Sequence, residues 1–244
     1  MNASLDLSTV ARDDPRLPFD ADTVSVYTDL NCSFAHVAVY RLHQTRSRLG
    51  LDDVIHFDHR AFPLELFNKS VNERPGVDSE IAVVGALEPA AGWRLWQGPD
   101  WRYPVSTLPA LEAVQAAKAQ GWHASEMLDL ALRRAFWQQN RCITMRHEIL
   151  DIAESTGVVD VTELAKHLDS GSARSAIFAQ YDSARNDQVI CSPHIFLSDG
   201  TNAANPGVEA HWVNGGFGEG FPVIDSDEPA IYEQLLTHAA ELVR

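Results

Sequence analysis

The spacing of hydrophobic positions changes several times along the chain, and each change marks a structural element. Val24-Ser25-Val26-Tyr27-Thr28 has the β-branched and aromatic character of a short strand, ended by the turn Asp29-Leu30-Asn31. From Cys32 the period lengthens. Phe34, Val37, Ala38, Leu42 and Leu49 recur at helical spacing until Gly50, which suits a helix C-terminus. Val54-Ile55-His56-Phe57-Asp58 predicts a second strand, and two strands around one such helix predict a right-handed βαβ unit with parallel pairing. Between Pro63 and Trp101 the pattern breaks under Asn68, Asn72, Pro75, Gly76, Pro89, Gly92, Gly98 and Pro99, so loop and short helix are expected.

Helical spacing resumes over residues 108–120, stopped by Gly121, and over 124–140. It continues over 145–156, between a Thr144 cap and a Gly157 stop, then over 161–168 behind a capping box of Asp160 and Glu163, and over 173–187. Val189-Ile190-Cys191 predicts a strand. Ile195-Phe196-Leu197 before the turn Ser198-Asp199-Gly200, and Ala210-His211-Trp212-Val213 before Asn214-Gly215-Gly216, read as an antiparallel pair. A closing helix is expected from Asp227-Glu228-Pro229 through Ile231, Leu235, Leu236 and Leu242. The order β-α-β, helical block, β-β-α predicts an α/β fold. Its core falls in 22–65 and 188–244, with a mainly helical insertion over 66–187 and an N-terminal arm over 1–21.

Composition narrows the function. With 45% hydrophobic residues, six Trp and ten Phe, 244 residues can bury one sizeable core. No apolar run approaches the length of a membrane helix, and Met1 to Asp6 lead into Arg12-Asp13-Asp14-Pro15 without the apolar stretch of a secretory signal. Nineteen basic against 34 acidic residues give a net charge of −15, which repels nucleic acid. Three cysteines, Cys32, Cys142 and Cys191, without a secretory signal point to a reducing, cytoplasmic compartment.

Cys32 carries the chemistry. It stands where a strand hands over to a helix N-terminus, whose free N–H groups and positive dipole end favour a thiolate. His36, four residues on, falls on the same face one turn away, where an imidazolium would favour the thiolate further. The competing reading makes Cys32 a core residue and His36 a surface one. Cys191-Ser192-Pro193-His194 is the second feature: Pro at a strand's start marks an edge, a bulge or a cis bond. His194 is either an acid or base beside the site or a packing histidine. Cys191 with His194 and His211, or His56 with His59, lacks the paired spacing of a zinc site, so no metal is expected. Trp93, Trp96, Trp101 and Tyr103 wall an apolar pocket or pack the insertion onto the core.

Several segments agree in order and spacing with one family. They are residues 27–35 at the first turn, Arg60-Ala61-Phe62-Pro63-Leu64-Glu65-Leu66, Leu108-Pro109-Ala110-Leu111-Glu112-Ala113, Arg133-Arg134-Ala135-Phe136-Trp137 and Ser192-Pro193-His194-Ile195-Phe196. The chain resembles the DsbA superfamily of thioredoxin-fold proteins, especially its cytoplasmic FrnE-like branch, over most of residues 22–244. The resemblance implies a thioredoxin-like fold with a helical insertion, a cis Pro193 facing a nucleophilic Cys32, and substrate contacts from Ser33, Phe34, Ser192, Pro193 and His194. The sequence departs from the family's dithiol motif at Ala35, where the second cysteine would stand. A mixed disulfide on Cys32 then needs another thiol to release it: a low-molecular-weight cosubstrate such as glutathione or mycothiol, or Cys191 as a resolving cysteine. Cys142 reads as packing.

The expected activity is that of a thiol oxidoreductase or thiol transferase acting on a disulfide or a small molecule. The alternatives are a thiol-dependent isomerase of an aromatic or polyketide-like substrate and a non-catalytic, chaperone-like binding module. Enzymes of this fold with exposed helical inserts often pair, so a homodimer is left open.

Overall fold

The computed structural model describes residues 20–185 and 189–244; most of the N-terminal arm and the last residues of the helix expected to 187 lie outside that range. Two strands form where the β-branched runs predict them. β1 (Thr23–Thr28) is buried along its whole length and pairs in parallel with β2 (His56–Ala61), joined through α1 (Ser33–Arg48). Two short antiparallel strands, β3 (His194–Phe196) and β4 (Asn202–Ala204), complete a sheet of order β2-β1-β3-β4.

Strand alternation decides what each face covers. Val24, Val26, Phe57 and Ile195 turn to α1 and to α9 (Ala230–Leu242), packing with Leu42, Tyr232, Leu235 and Leu236. Tyr27 and Phe196 turn the other way, toward Phe62, Ala184 and Val189.

The insertion builds a second core. After α2 (Leu64–Phe67) and α3 (Arg74–Val84) come α4 (Leu108–Ala117), α5 (Trp122–Trp137), α6 (Arg146–Ser155), α7 (Val161–Ser170) and α8 (Arg174–Ala184). Val114, Leu128, Leu132, Phe136, Trp137 and Ile143 lie at its centre, and Leu30, from the turn after β1, is packed among them. The active-site turn is thereby wedged between the two cores. No helix among the described residues is long and apolar enough to cross a membrane.

Several boundaries differ from expectation for physical reasons. The segment read as loop contains α3, because Pro75 falls in the first helical turn, where its missing N–H costs no hydrogen bond. Residues 189–191 form no strand, since the chain bends into the Ser192–Pro193 peptide, which is cis. β3 pairs with β4 immediately beyond the Asp199 turn, while β5 (Val208–Val213) pairs with β6 (Phe221–Asp227), so the expected single hairpin is two.

Caps differ too. Thr144 donates to the Ser106 carbonyl instead of capping α6. Asp160 does cap α7, accepting from the Glu163 amide at 3.0 Å, but the Glu163 carboxylate turns to Lys166 rather than closing the box. Asp227 ends β6 and takes Arg41 in a two-pronged ion pair at 2.6 and 2.8 Å, so Pro229 stands at the start of α9. The β5–β6 hairpin packs on α3 through Phe217, whose ring lies 2.5 Å from where a Cβ on Gly76 would stand.

Candidate active site

The turn after β1 is fixed from four directions through Asp29. Its carboxylate accepts from the Asn31 amide at 3.0 Å, the Leu64 amide at 2.8 Å and the Thr107 hydroxyl at 3.1 Å. Its own amide donates to the Ser192 hydroxyl at 2.9 Å, and its carbonyl accepts from Arg133 at 3.2 Å. One short acid therefore joins β1, α2, α4, α5 and the Pro193 loop, and burial pushes its acidity down by raising its pKa. Arg133 also reaches the Thr28 hydroxyl at 2.9 Å, and the Trp137 indole donates to the Leu30 carbonyl at 3.1 Å.

Cys32 occupies the N-cap of α1 with extended backbone angles, and its carbonyl accepts the first helical bond, from His36 at 3.0 Å. Its side chain does not cap the helix. The thiol donates across to the Ser192 carbonyl at 3.1 Å, so the sulfur lies against the peptide that precedes Pro193. The side chain is 8% exposed. Ala35, one turn on, is fully buried where a second thiol would stand.

The acidity of Cys32 is the reverse of the expected one. Burial pushes the thiol up to about 12, the Glu80 carboxylate adds to the rise, and the Ser192 and Ala35 contacts only temper it. Desolvation and a neighbouring anion outweigh the helix N-terminus, so the resting group is a thiol. Glu80, on α3, is itself buried, and burial raises it to about 7 against the tempering contact of the Ser33 hydroxyl. Sequence reasoning missed Glu80. A usable signal was its place three residues after Val77 and four before Val84, which puts a lone acid on the buried stripe of a helix.

His36 does not assist Cys32 as an imidazolium. Its ring stacks on Trp137 at 5.4 Å, meets Trp93 edge-on at 4.7 Å, and donates from Nε2 to the Ala91 carbonyl at 3.2 Å. Burial, with the Arg133 charge second, lowers it to about 3, so it is neutral near pH 7. His194 is likewise corrected. Nδ1 accepts from the Ile190 amide at 3.3 Å and Nε2 donates to Asn202 at 3.0 Å, which commits both nitrogens within the fold.

Of the other expected contacts, Ser33 is fully buried against Glu80, and the Ser192 hydroxyl is taken by Asp29. Pro193 is buried, and Phe34 is the expected contact that remains partly exposed beside Cys32. Cys191 donates its thiol to the Pro193 carbonyl at 3.1 Å, and burial pushes it up to about 11. Cys32, Cys142 and Cys191 are all free, and Cys142 is buried. Trp93, Trp96 and Tyr103 pack against one another's neighbours Trp137 and Phe136, while Trp101 is 76% exposed. Among the described residues, no group of three or more His, Cys, Asp or Glu side chains is placed to hold a metal ion.

A cysteine at the first turn of a helix, lying against the peptide before a cis proline in a β2-β1-β3-β4 sheet, defines a thioredoxin-fold protein. The DsbA-like thioredoxin domain model matches residues 23–211, so the chain belongs to that family. No curated protein matches it.

Solved structures similar to it include the cytosolic disulfide reductase DsbM from Pseudomonas aeruginosa, at 13% identity and a TM-score of 0.62 over 90% of this chain and 99% of that one. DsbM with GSH also matches, at 15% identity and a TM-score of 0.57 over 72% and 85% of the two chains. A Streptomyces coelicolor protein described as a probable DsbA oxidoreductase shares 17% identity at a TM-score of 0.60, covering 89% of each chain. A 2-hydroxychromene-2-carboxylate isomerase shares 16% at 0.55 over 75% and 89%. At these identities the likeness is one of fold.

Proposed function

We propose that the protein is a monothiol oxidoreductase or thiol transferase in which Cys32 alone makes and breaks the covalent bond. The observation that carries this reading is the Cys32 thiol against the Ser192 carbonyl, with Ala35 in place of a second thiol. Cys32 gives its proton to Glu80 and attacks one sulfur of a disulfide; the Cys32–S bond forms as the S–S bond breaks, and the departing thiolate takes a proton. A low-molecular-weight thiol, glutathione or mycothiol, then attacks the outer sulfur as its thiolate. Cys32 leaves and is reprotonated. The Cys32 thiolate is scarce near pH 7 but strongly nucleophilic once its proton is taken, and a thiolate so little stabilised suits reduction of a partner disulfide better than oxidation. The likeness to a cytosolic disulfide reductase and to its structure with GSH supports this direction and the cytoplasmic setting.

Exposed apolar side chains flank the site and suit a disulfide on an apolar segment or small molecule. Val71 precedes Asn72, which donates to Asn31; Val105 stands two residues before Thr107; Ile190 leads into the Pro193 loop. The isomerase reading has a fold likeness on its side. The geometry favours it less, because His36 and His194 are turned into internal hydrogen bonds instead of toward Cys32.

Alkylation rates against pH test the Cys32 chemistry. With the thiol raised to about 12, the reactive thiolate should grow about tenfold per pH unit from pH 7 to 10 without a plateau. A plateau starting below pH 8 contradicts the account. Glu80→Gln removes the anion that opposes the thiolate, so Cys32 alkylation above pH 7 should quicken at least about threefold, while disulfide turnover falls. Unchanged alkylation in Glu80→Gln would place Glu80 away from the thiol.

A further inference from the structure

Glutathione and mycothiol differ in charge, and the groups around the Cys32 turn tell them apart. The strongest charges acting on the Cys32 thiol come from Glu80 and Asp29, and both are negative. A niche beside the Asn31–Cys32 turn is lined in part by Asp29, Glu65, Asn72, Ser106 and Thr107, and its lining includes no Lys, Arg or His. The Ser106 hydroxyl donates to Glu65 Oε1 at 2.7 Å, which fixes that carboxylate at the niche.

The arginines nearest the turn are already matched. Arg133 faces Asp129, Arg74 lies between Asp78 and Asp100, and Arg102 meets Glu148. Lys69 and Glu73, exposed on either side of Val71 and Asn72, offset one another. The apolar rim of Val71, Val105 and Ile190 adds no charge. An anionic thiol approaching Cys32 therefore meets a field of its own sign, in a chain of net charge −15.

Resting on the monothiol reading above, we infer that the thiol which releases Cys32 carries no net negative charge beyond its reacting sulfur, and that Glu65 sets part of this preference. Mycothiol, which has no carboxylate, meets the condition. Glutathione, with two carboxylates and one ammonium, reacts more slowly. In the step itself the incoming thiolate attacks the outer sulfur of the Cys32 mixed disulfide; a new S–S bond forms, the bond to Cys32 breaks, and the Cys32 sulfur takes up a proton. Each further negative charge on the thiol adds repulsion to that approach, and an ammonium relieves it.

The test compares three thiols of similar size: 2-mercaptoethanesulfonate, 2-mercaptoethanol and cysteamine, which are anionic, neutral and cationic. Bis(2-hydroxyethyl) disulfide first converts the native chain to an uncharged mixed disulfide on Cys32, located by peptide mapping, and release is followed by intact mass. Each rate is taken per thiolate and divided by the rate of the same thiol on free bis(2-hydroxyethyl) disulfide. Cysteamine should exceed mercaptoethanesulfonate at least about fivefold at about 10 mM salt, with mercaptoethanol between them, and about 0.5 M salt should at least halve that ratio. Glu65→Gln keeps an acceptor for Ser106 and should lower the ratio at least about twofold. Asp53→Asn removes the same charge from an exposed position beyond the far end of α1, about 24 Å away along the helix, and should leave the ratio unchanged. A native ratio below about fivefold, a ratio that withstands salt, or no difference between the two variants overturns this inference and leaves the monothiol reading standing. Failure of the mixed disulfide to form on Cys32 overturns both.

Discussion

Cys32→Ser should reduce thiol transfer from a disulfide to a low-molecular-weight thiol to below about a thousandth of the native rate. The hydroxyl is smaller than the thiol and can donate to the Ser192 carbonyl in the same way, so the fold has no reason to change. What is lost is the nucleophile, because a serine oxygen forms no mixed disulfide and no imidazole stands ready to activate it. Cys142→Ser and Cys191→Ser should keep turnover within about twofold, since neither thiol is bonded to Cys32. Turnover of an aromatic substrate retained by Cys32→Ser would move the account to the isomerase. Normal client protection by Cys32→Ala without any thiol-dependent turnover would move it to a binding module.

Arg133→Leu should destabilise the protein by about 3–5 kcal/mol, the usual cost of removing one partner of a buried ion pair. Arg133 is 1% exposed and bonds the Asp129 carboxylate at 2.7 and 3.3 Å. Without it, Asp129 is left charged and buried, and the Thr28 hydroxyl and Asp29 carbonyl lose a donor. The loss reaches beyond stability. Since Asp29 positions the turn that carries Cys32, the pH profile of Cys32 alkylation should shift in the same variant. Replacing Asp129 as well, in Arg133→Leu/Asp129→Leu, should recover much of the deficit, because no uncompensated charge remains. Denaturant unfolding measures both variants. A cost below about 1 kcal/mol for Arg133→Leu would mean that this network does not hold the insertion to the sheet.

How far the sequence discloses this protein depends on whether the signal is local. β1, α1 and the insertion helices are visible because their apolar residues keep one period over several turns, and the family segments around Cys32 and Pro193 mark the fold. β4 is only three residues long and shows no alternation to read. α3 hides behind Pro75 and Gly76, where a first-turn proline and a glycine pressed on Phe217 resemble loop punctuation.

At the site, the position of Cys32 was legible and its acidity was not. The helix N-terminus is a local feature, whereas burial and the approach of Glu80 from α3 are tertiary. His36 misled for the same reason, since helical spacing from Cys32 says nothing of Trp93, Ala91 and Trp137, which claim its ring. Asp29 looked like a turn residue, and only the fold shows four elements meeting on it.

The most direct measurement is intact mass after incubating the native chain with glutathione disulfide, followed by peptide mapping of the modified residue. One glutathione on Cys32, removed by free glutathione and absent from Cys32→Ser, is the predicted result. A Cys32–Cys191 bridge, or an adduct confined to Cys142 or Cys191, would contradict a sulfur that works alone.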